Sequence, residues 1–121
     1  MGRVVHFEIA ADDLGRCEAF YHEVFAWTFQ RWDGPAPYVL VKTGDGPRGI
    51  DGGLQQRMSP AQGTVNTIEV DSVDATVAAV AAKGGSLQMP KMAIPGVGWL
   101  AYCKDTEGNL FGVMQPDASA H

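Results

Sequence analysis

The sequence has only two cysteines, Cys17 and Cys103, in 121 residues. They form no CxxC pair, which excludes the usual thiolate zinc knuckle. Each falls in an apolar context, one on a helix stripe and one in a strand, where a buried free thiol is the expected state. Positive charge is also scarce: nine Lys and Arg against 14 Asp and Glu leave a net charge of −5. The basic residues are scattered, so no nucleic-acid partner is expected. No apolar run approaches membrane-spanning length, and Met1-Gly2-Arg3 lacks the apolar region of a secretory signal. No membrane partner and a cytoplasmic location are therefore expected. The glycine-rich stretch from Gly49 to Gln56 lacks the GK[ST] ending of a phosphate-binding loop, which argues against nucleotide binding there.

What is present is a chain with 45% hydrophobic residues, enough for one domain with a real core. Its organising stretch is Val5-His6-Phe7-Glu8-Ile9, a strand by alternation. Phe7 and Ile9 share an apolar face, and His6 and Glu8 share the other. Asp12 or Asp13 then offers a carboxylate to the free N–H groups of a helix start. Leu14, Cys17, Phe20, Tyr21, Val24 and Phe25 follow at helical spacing, with Phe7, Phe20 and Phe25 expected in the core.

Trp27 to Trp32 reads as the next strand, Asp33-Gly34-Pro35 as a turn, and Tyr38 to Lys42 as a strand. Gly49 to Gln56 reads as a short glycine-rich strand, and Met58 to Gly63 as a linker. The pattern then restarts. Val65 to Val70 is a strand, Asp71 or Ser72 a cap, and Val73, Val77 and Val80 one helix face. Gly84-Gly85 ends that helix. Leu87 to Met89 is expected as a short strand, Pro90 to Gly98 as a loop, and Trp99 to Cys103 as a strand. A turn over Asp105 to Asn109 leads to the last strand, Leu110 to Gln115.

The halves superpose without a gap at their start: Ile9 falls on Ile68, Asp12 on Asp71, Leu14 on Val73 and Tyr21 on Val80. Gly53-Leu54-Gln55-Gln56 falls on Gly112-Val113-Met114-Gln115. Each half reads βαβββ, a duplicated module. The expected fold class is α+β, two tandem βαβββ modules forming a curved, cup-shaped mixed sheet with helices outside. The expected boundaries are about 3–57 for module one, 58–63 for the linker, 64–116 for module two and 117–121 for a mobile tail.

With His6 in the first strand, Phe20-Tyr21 on the first helix and Asp105-Thr106-Glu107-Gly108-Asn109-Leu110-Phe111-Gly112 before the last strand, the chain resembles the vicinal oxygen chelate superfamily. That group includes glyoxalase I, bleomycin-resistance proteins and extradiol dioxygenases. Gly52-Gly53-Leu54 and Pro95-Gly96-Val97-Gly98-Trp99 are similar to small bacterial glyoxalase-like proteins. The resemblance implies a homodimer and a cup that takes a small organic molecule. It also implies four divalent-metal ligand positions, which fall on His6, Val65, Gly53 and Gly112. Three of these four residues have no donor side chain.

The standard metal site is accordingly not expected, because a catalytic divalent ion usually takes three protein ligands. His6 remains as a metal ligand in a relocated set with Glu8 and Glu69, although residues two apart on a strand are nearly 7 Å apart, from a rise of about 3.3 Å per residue. Alternatively His6, Glu8 and Glu69 act as catalytic acid–base groups, the two carboxylates as a facing pair. Thr67, Gln55, Trp99, Tyr102 and Met114 are the candidate ligand-binding residues. The leading functional expectation is a binding protein or metal-independent enzyme for a small organic metabolite, with no cofactor. The alternatives are a metal-dependent lyase, isomerase or dioxygenase, and an antibiotic-sequestering resistance protein.

Overall fold

The computed structural model describes every residue except Met1, Asp33 and Pro35. The turn expected over Asp33-Gly34-Pro35 thus lies in part outside the described residues. Among the described residues, eight strands and two helices form in chain order: β1 (Arg3–Ala11), α1 (Leu14–Phe25), β2 (Thr28–Arg31), β3 (Tyr38–Lys42), β4 (Gly52–Gln56), β5 (Val65–Glu69), α2 (Val73–Ala82), β6 (Ser86–Ile94), β7 (Gly98–Lys104) and β8 (Leu110–Pro116). This is α+β with two βαβββ modules. The chain divides into two compact units, His6–Thr64 and a second made of Val65–His121 with Met1–Val5. Residues 2–5, at the start of β1, therefore belong with the later module.

In the first unit the strands run β2-β3-β4-β1, with β4 parallel to β1 and the other pairs antiparallel. Ala11, Leu14, Val39, Val41 and Leu54 form its core, with Phe7, Ile9, Cys17, Trp27 and Phe29 packed against them. Alternation along the strands puts Phe7, Ile9, Val39, Val41 and Leu54 on the helix side. Asp13 is the cap of α1: its Oδ1 accepts from Arg16 N at 2.9 Å. The helix closes on Ala26, at φ 62°, whose N–H reaches the His22 carbonyl.

Two helix-face expectations are corrected here. Phe20 and Phe25 are 56% and 57% exposed, whereas Phe7 does pack on the core. Leu14 is the fully buried residue of α1, and Tyr21 fills the remaining contact by stacking on Trp27, with ring centroids 4.6 Å apart and planes 5° from parallel. The apolar stripe is wider than the surface the helix has to cover.

The second unit has the order β5-β8-β7-β6, with β8 parallel to β5. Val73, Ala101 and Val113 form its core, with Val70, Val77, Trp99 and Phe111 against it. Ser72 caps α2 through a bond from Ala75 N at 3.1 Å. This is the alignment counterpart of Asp13, and the first helical residues Leu14 and Val73 are both buried. Beyond α2, Gly84 takes φ 98°, the left-handed conformation for which glycine is suited.

The strand β6 corrects a second expectation. It runs nine residues, through Pro90, where the sequence suggests a short strand and a loop. β6 is an edge strand, and its pairing with β7 shifts register between Leu87 and Met89 and again between Met89 and Met92. Edge position and bulges are where a strand tolerates a proline, since no ladder bond has to come from its nitrogen.

The tail, expected to be mobile, is tied back to its own unit. Asp117 N donates to Val97 O at 3.0 Å, Gly96 N to Ala120 O at 3.0 Å, and Ala120 is 3% exposed.

Candidate functional site

The side of β1 opposite its helix carries His6, Glu8 and Ala10 by alternation. Register adds the neighbours: Glu8 lies beside Gly53 and Ala10 beside Gln55 on β4, and Gln55 in turn lies beside Tyr38 on β3. On this face the Tyr38 hydroxyl stands between the two polar side chains of β1. It lies 2.8 Å from His6 Nε2 and donates to Glu8 Oε2 at 3.0 Å. Glu8 is 7% exposed, so the hydrogen bond replaces water that the carboxylate gave up on burial.

What lets Tyr38 reach that place is Gly53. A Cβ on Gly53 would collide with the hydroxyl, Cζ and Cε1 of Tyr38. The ring fills the room that a side chain on β4 would otherwise take. Burial lowers the pKa of His6 below its ordinary 6.5, while the charges of Glu8 and Asp51 act in the opposite direction. The neutral ring is the favoured form near neutral pH.

The corresponding face of the second unit is different in character. Thr67 lies beside Gly112 and Glu69 beside Met114, in the same register as Glu8 with Gly53 and Ala10 with Gln55. Leu100 lies beside Met114 as Tyr38 lies beside Gln55. Val65, Thr67 and Leu100 thus stand where the first unit has His6, Glu8 and Tyr38, and all three are buried. A Cβ on Gly112 would lie 3.2 Å from Thr67 Oγ1 and 3.4 Å from Tyr102 Cε1.

The structure therefore gathers His6 and Glu8, with Gln55 on the same face. Thr67, Tyr102 and Met114 share the equivalent face of the other unit. Glu69 is exposed there. Trp99 sits on the opposite side of its strand: it packs with the helix-side core, donates from Nε1 to Asp117 Oδ2 at 2.9 Å, and has Lys91 Nζ 5.2 Å from its ring centroid. Tyr38, which the sequence pattern marks only as the start of a strand, is the residue that joins His6 to Glu8. The available signal was a glycine at a ligand position next to a strand bearing a tyrosine.

The donor set implied by the resemblance does not fit a four-ligand divalent centre. Of its four positions, Val65 is buried and apolar, the place of a side chain at Gly53 is filled by Tyr38, and Gly112 lies under Thr67 and Tyr102. Among the described residues no three His, Cys, Asp or Glu side chains come together as a metal site would need.

Paired βαβββ modules in matching register define the vicinal oxygen chelate class. Residues 3–44 match the family model described as bleomycin resistance protein-like N-terminal. A glyoxylase-like domain-containing protein of Didymella fabae is 31% identical over 118 residues, covering 93% of this chain and 92% of that protein. A glyoxylase candidate of Mycobacterium bovis, CFP32, is 31% identical over 121 residues; the chain spans 44% of its length. Among solved structures, methylmalonyl-CoA epimerase from Mycobacterium tuberculosis superposes with a TM-score of 0.69 at 16% identity, covering 94% of this chain and 87% of that one. The Streptomyces coelicolor methylmalonyl-CoA epimerase, solved with 2-nitronate-propionyl-CoA, gives 0.69 at 19% identity, covering 98% of this chain and 97% of that one. The chain belongs to the glyoxalase/bleomycin-resistance superfamily, as a glyoxylase-like domain.

Proposed function

We propose that this chain binds a small organic metabolite at the His6–Tyr38–Glu8 face and acts on it, or holds it, without a divalent metal. The observation that carries this reading is the position of Tyr38, whose hydroxyl bridges an imidazole and a buried carboxylate in the room over Gly53. A base, a hydroxyl and a carboxylate in line are groups that move protons or orient a polar ligand, and they need no Lewis acid to do so. Gln55 supports the reading. It is half-buried on the same face, and its carboxamide makes no hydrogen bond among the described residues, so it is available to a ligand.

The ligands named for the structural neighbours make acyl thioesters the first class to try. A homodimer and a cytoplasmic location complete the proposal.

The test is the metal content of protein purified without chelator, together with thermal shifts against zinc, nickel, manganese and ferrous iron, and against a panel of acyl thioesters, 2-oxo compounds and antibiotics. Stabilisation by an organic ligand, lost in His6→Gln and unaffected by metal, is the expected result. One tightly held ion per chain, lost in His6→Gln, would sink the metal-free reading in favour of a metal-dependent lyase, isomerase or dioxygenase. Saturable binding of an antibiotic with no product would point to sequestration.

A further inference from the structure

We infer that Tyr38 is a positioning residue that fixes His6 as the Nε2–H tautomer, leaving Nδ1 as the atom that meets the ligand. The inference rests on the reading of this face as the binding site, and goes on to say which atom works there and what chemistry it accepts. It follows from counting protons. A tyrosine hydroxyl has one hydrogen to give. That hydrogen goes to Glu8 Oε2, at 3.0 Å. The contact of 2.8 Å to His6 Nε2 must then be one in which the Tyr38 oxygen accepts, so Nε2 carries the proton. A neutral imidazole holds a proton on one nitrogen only, and Nδ1 keeps its lone pair.

Three features reinforce the arrangement. Nδ1 makes no hydrogen bond among the described residues, whereas Nδ1 of His22 and of His121 are both engaged, with Trp27 O and Ser119 O. Tyr38 can take this position because Gly53 presents bare backbone where a side chain would otherwise stand. Its carboxylate partner is itself buried, so the Tyr38 proton is not shared freely with water. The hydrogen bonds run from His6 Nε2–H to the Tyr38 oxygen and from the Tyr38 hydroxyl to Glu8 Oε2, which leaves Nδ1 as an acceptor.

The consequence for the ligand is specific. The group that meets His6 is a proton donor: a hydroxyl, an amide N–H or an acidic C–H. A carboxylate or phosphate oxygen placed there would find a lone pair instead of a proton.

The experiment is two-bond proton–nitrogen NMR correlation of the full chain labelled with ¹⁵N-histidine, with His6 assigned by its loss in His6→Gln. The expected wild-type pattern near neutral pH is a protonated Nε2 and an Nδ1 at the shift of an unprotonated ring nitrogen. In Tyr38→Phe the two shifts should move towards each other as the tautomers mix. In Glu8→Gln they should hold, since the amide carbonyl still accepts from Tyr38. A proton on Nδ1 in the wild type overturns the inference, and so do unchanged shifts in Tyr38→Phe. If Tyr38→Phe fails to fold, the wild-type tautomer alone decides. Metal content is a separate readout, so the tautomer can be refuted while the metal-free reading stands, and the converse also holds.

Discussion

Tyr38 and Gly53 occupy one side-chain volume between them. They lie on adjacent antiparallel strands, and the ring sits where the Cβ of residue 53 would be. A large residue is thereby positioned by the absence of its neighbour's side chain.

That relationship gives the first prediction. Gly53→Ala should destabilise the protein by about 1–3 kcal/mol, the usual cost of overpacking, and should displace the hydroxyl from His6. Combined with Tyr38→Ala, the second change should cost much less than it does alone, because the ring is already gone. Urea unfolding of the four proteins in the cycle measures the coupling. Strict additivity would mean that the two residues do not share the space.

The buried imidazole gives a dependence of stability on pH. The pKa of His6 is lower in the folded chain than its ordinary 6.5, so below that value the unfolded chain binds the extra proton first. Stability is therefore fully present above the unfolded value and falls as pH drops through it towards the folded one. His6→Gln should flatten this part of the curve. Unfolding free energies measured at intervals across the window, with and without His6, check the sign.

Leu54 is 0% exposed and central to the first core. Leu54→Ala should cost about 2–5 kcal/mol, read from the urea midpoint at constant slope. A loss under about 1 kcal/mol would mean that the core closes over the gap.

Asp117 holds the tail through Trp99 Nε1 at 2.9 Å and through Ser119 N and Oγ. These bonds lower its pKa, Ser119 contributing most. Asp117→Ala should raise amide exchange at Gly96 and Ala120, and should change the emission of Trp99, while Asp117→Asn, which keeps an acceptor, should do less. Equal effects of the two would assign the hold to charge and not to hydrogen bonding.

The modular plan was legible in the sequence because it is written in local terms. Alternation in β1 and β5, the caps Asp13 and Ser72, and the glycines after α2 each act within a few residues. The parallel registers of Glu8 with Gly53 and Thr67 with Gly112 repeat the gap-free alignment of the halves. The side of β1 bearing His6 and Glu8 was legible for the same reason.

Tyr38 was not legible as a site residue. It meets Glu8 from a strand 30 residues away, and the feature that admits it is a side chain Gly53 does not have. The exposure of Phe20 and Phe25 was hidden too, since helical spacing reports a stripe and not how much of it finds a surface. Pro90 misled for a related reason: a proline ends a central strand, but the sequence does not announce which strand lies at an edge.

That edge has a further effect. A nine-residue outer strand with exposed Leu87 and Met89 would ordinarily be a template on which another chain could add a strand and begin to aggregate. The missing amide hydrogen of Pro90 and the two register shifts beside it spoil the spacing of that template. The irregularity that makes β6 hard to recognise in the sequence thus also guards the protein against strand-by-strand growth. Replacing Pro90 would remove one part of that guard and leave the register shifts as the other.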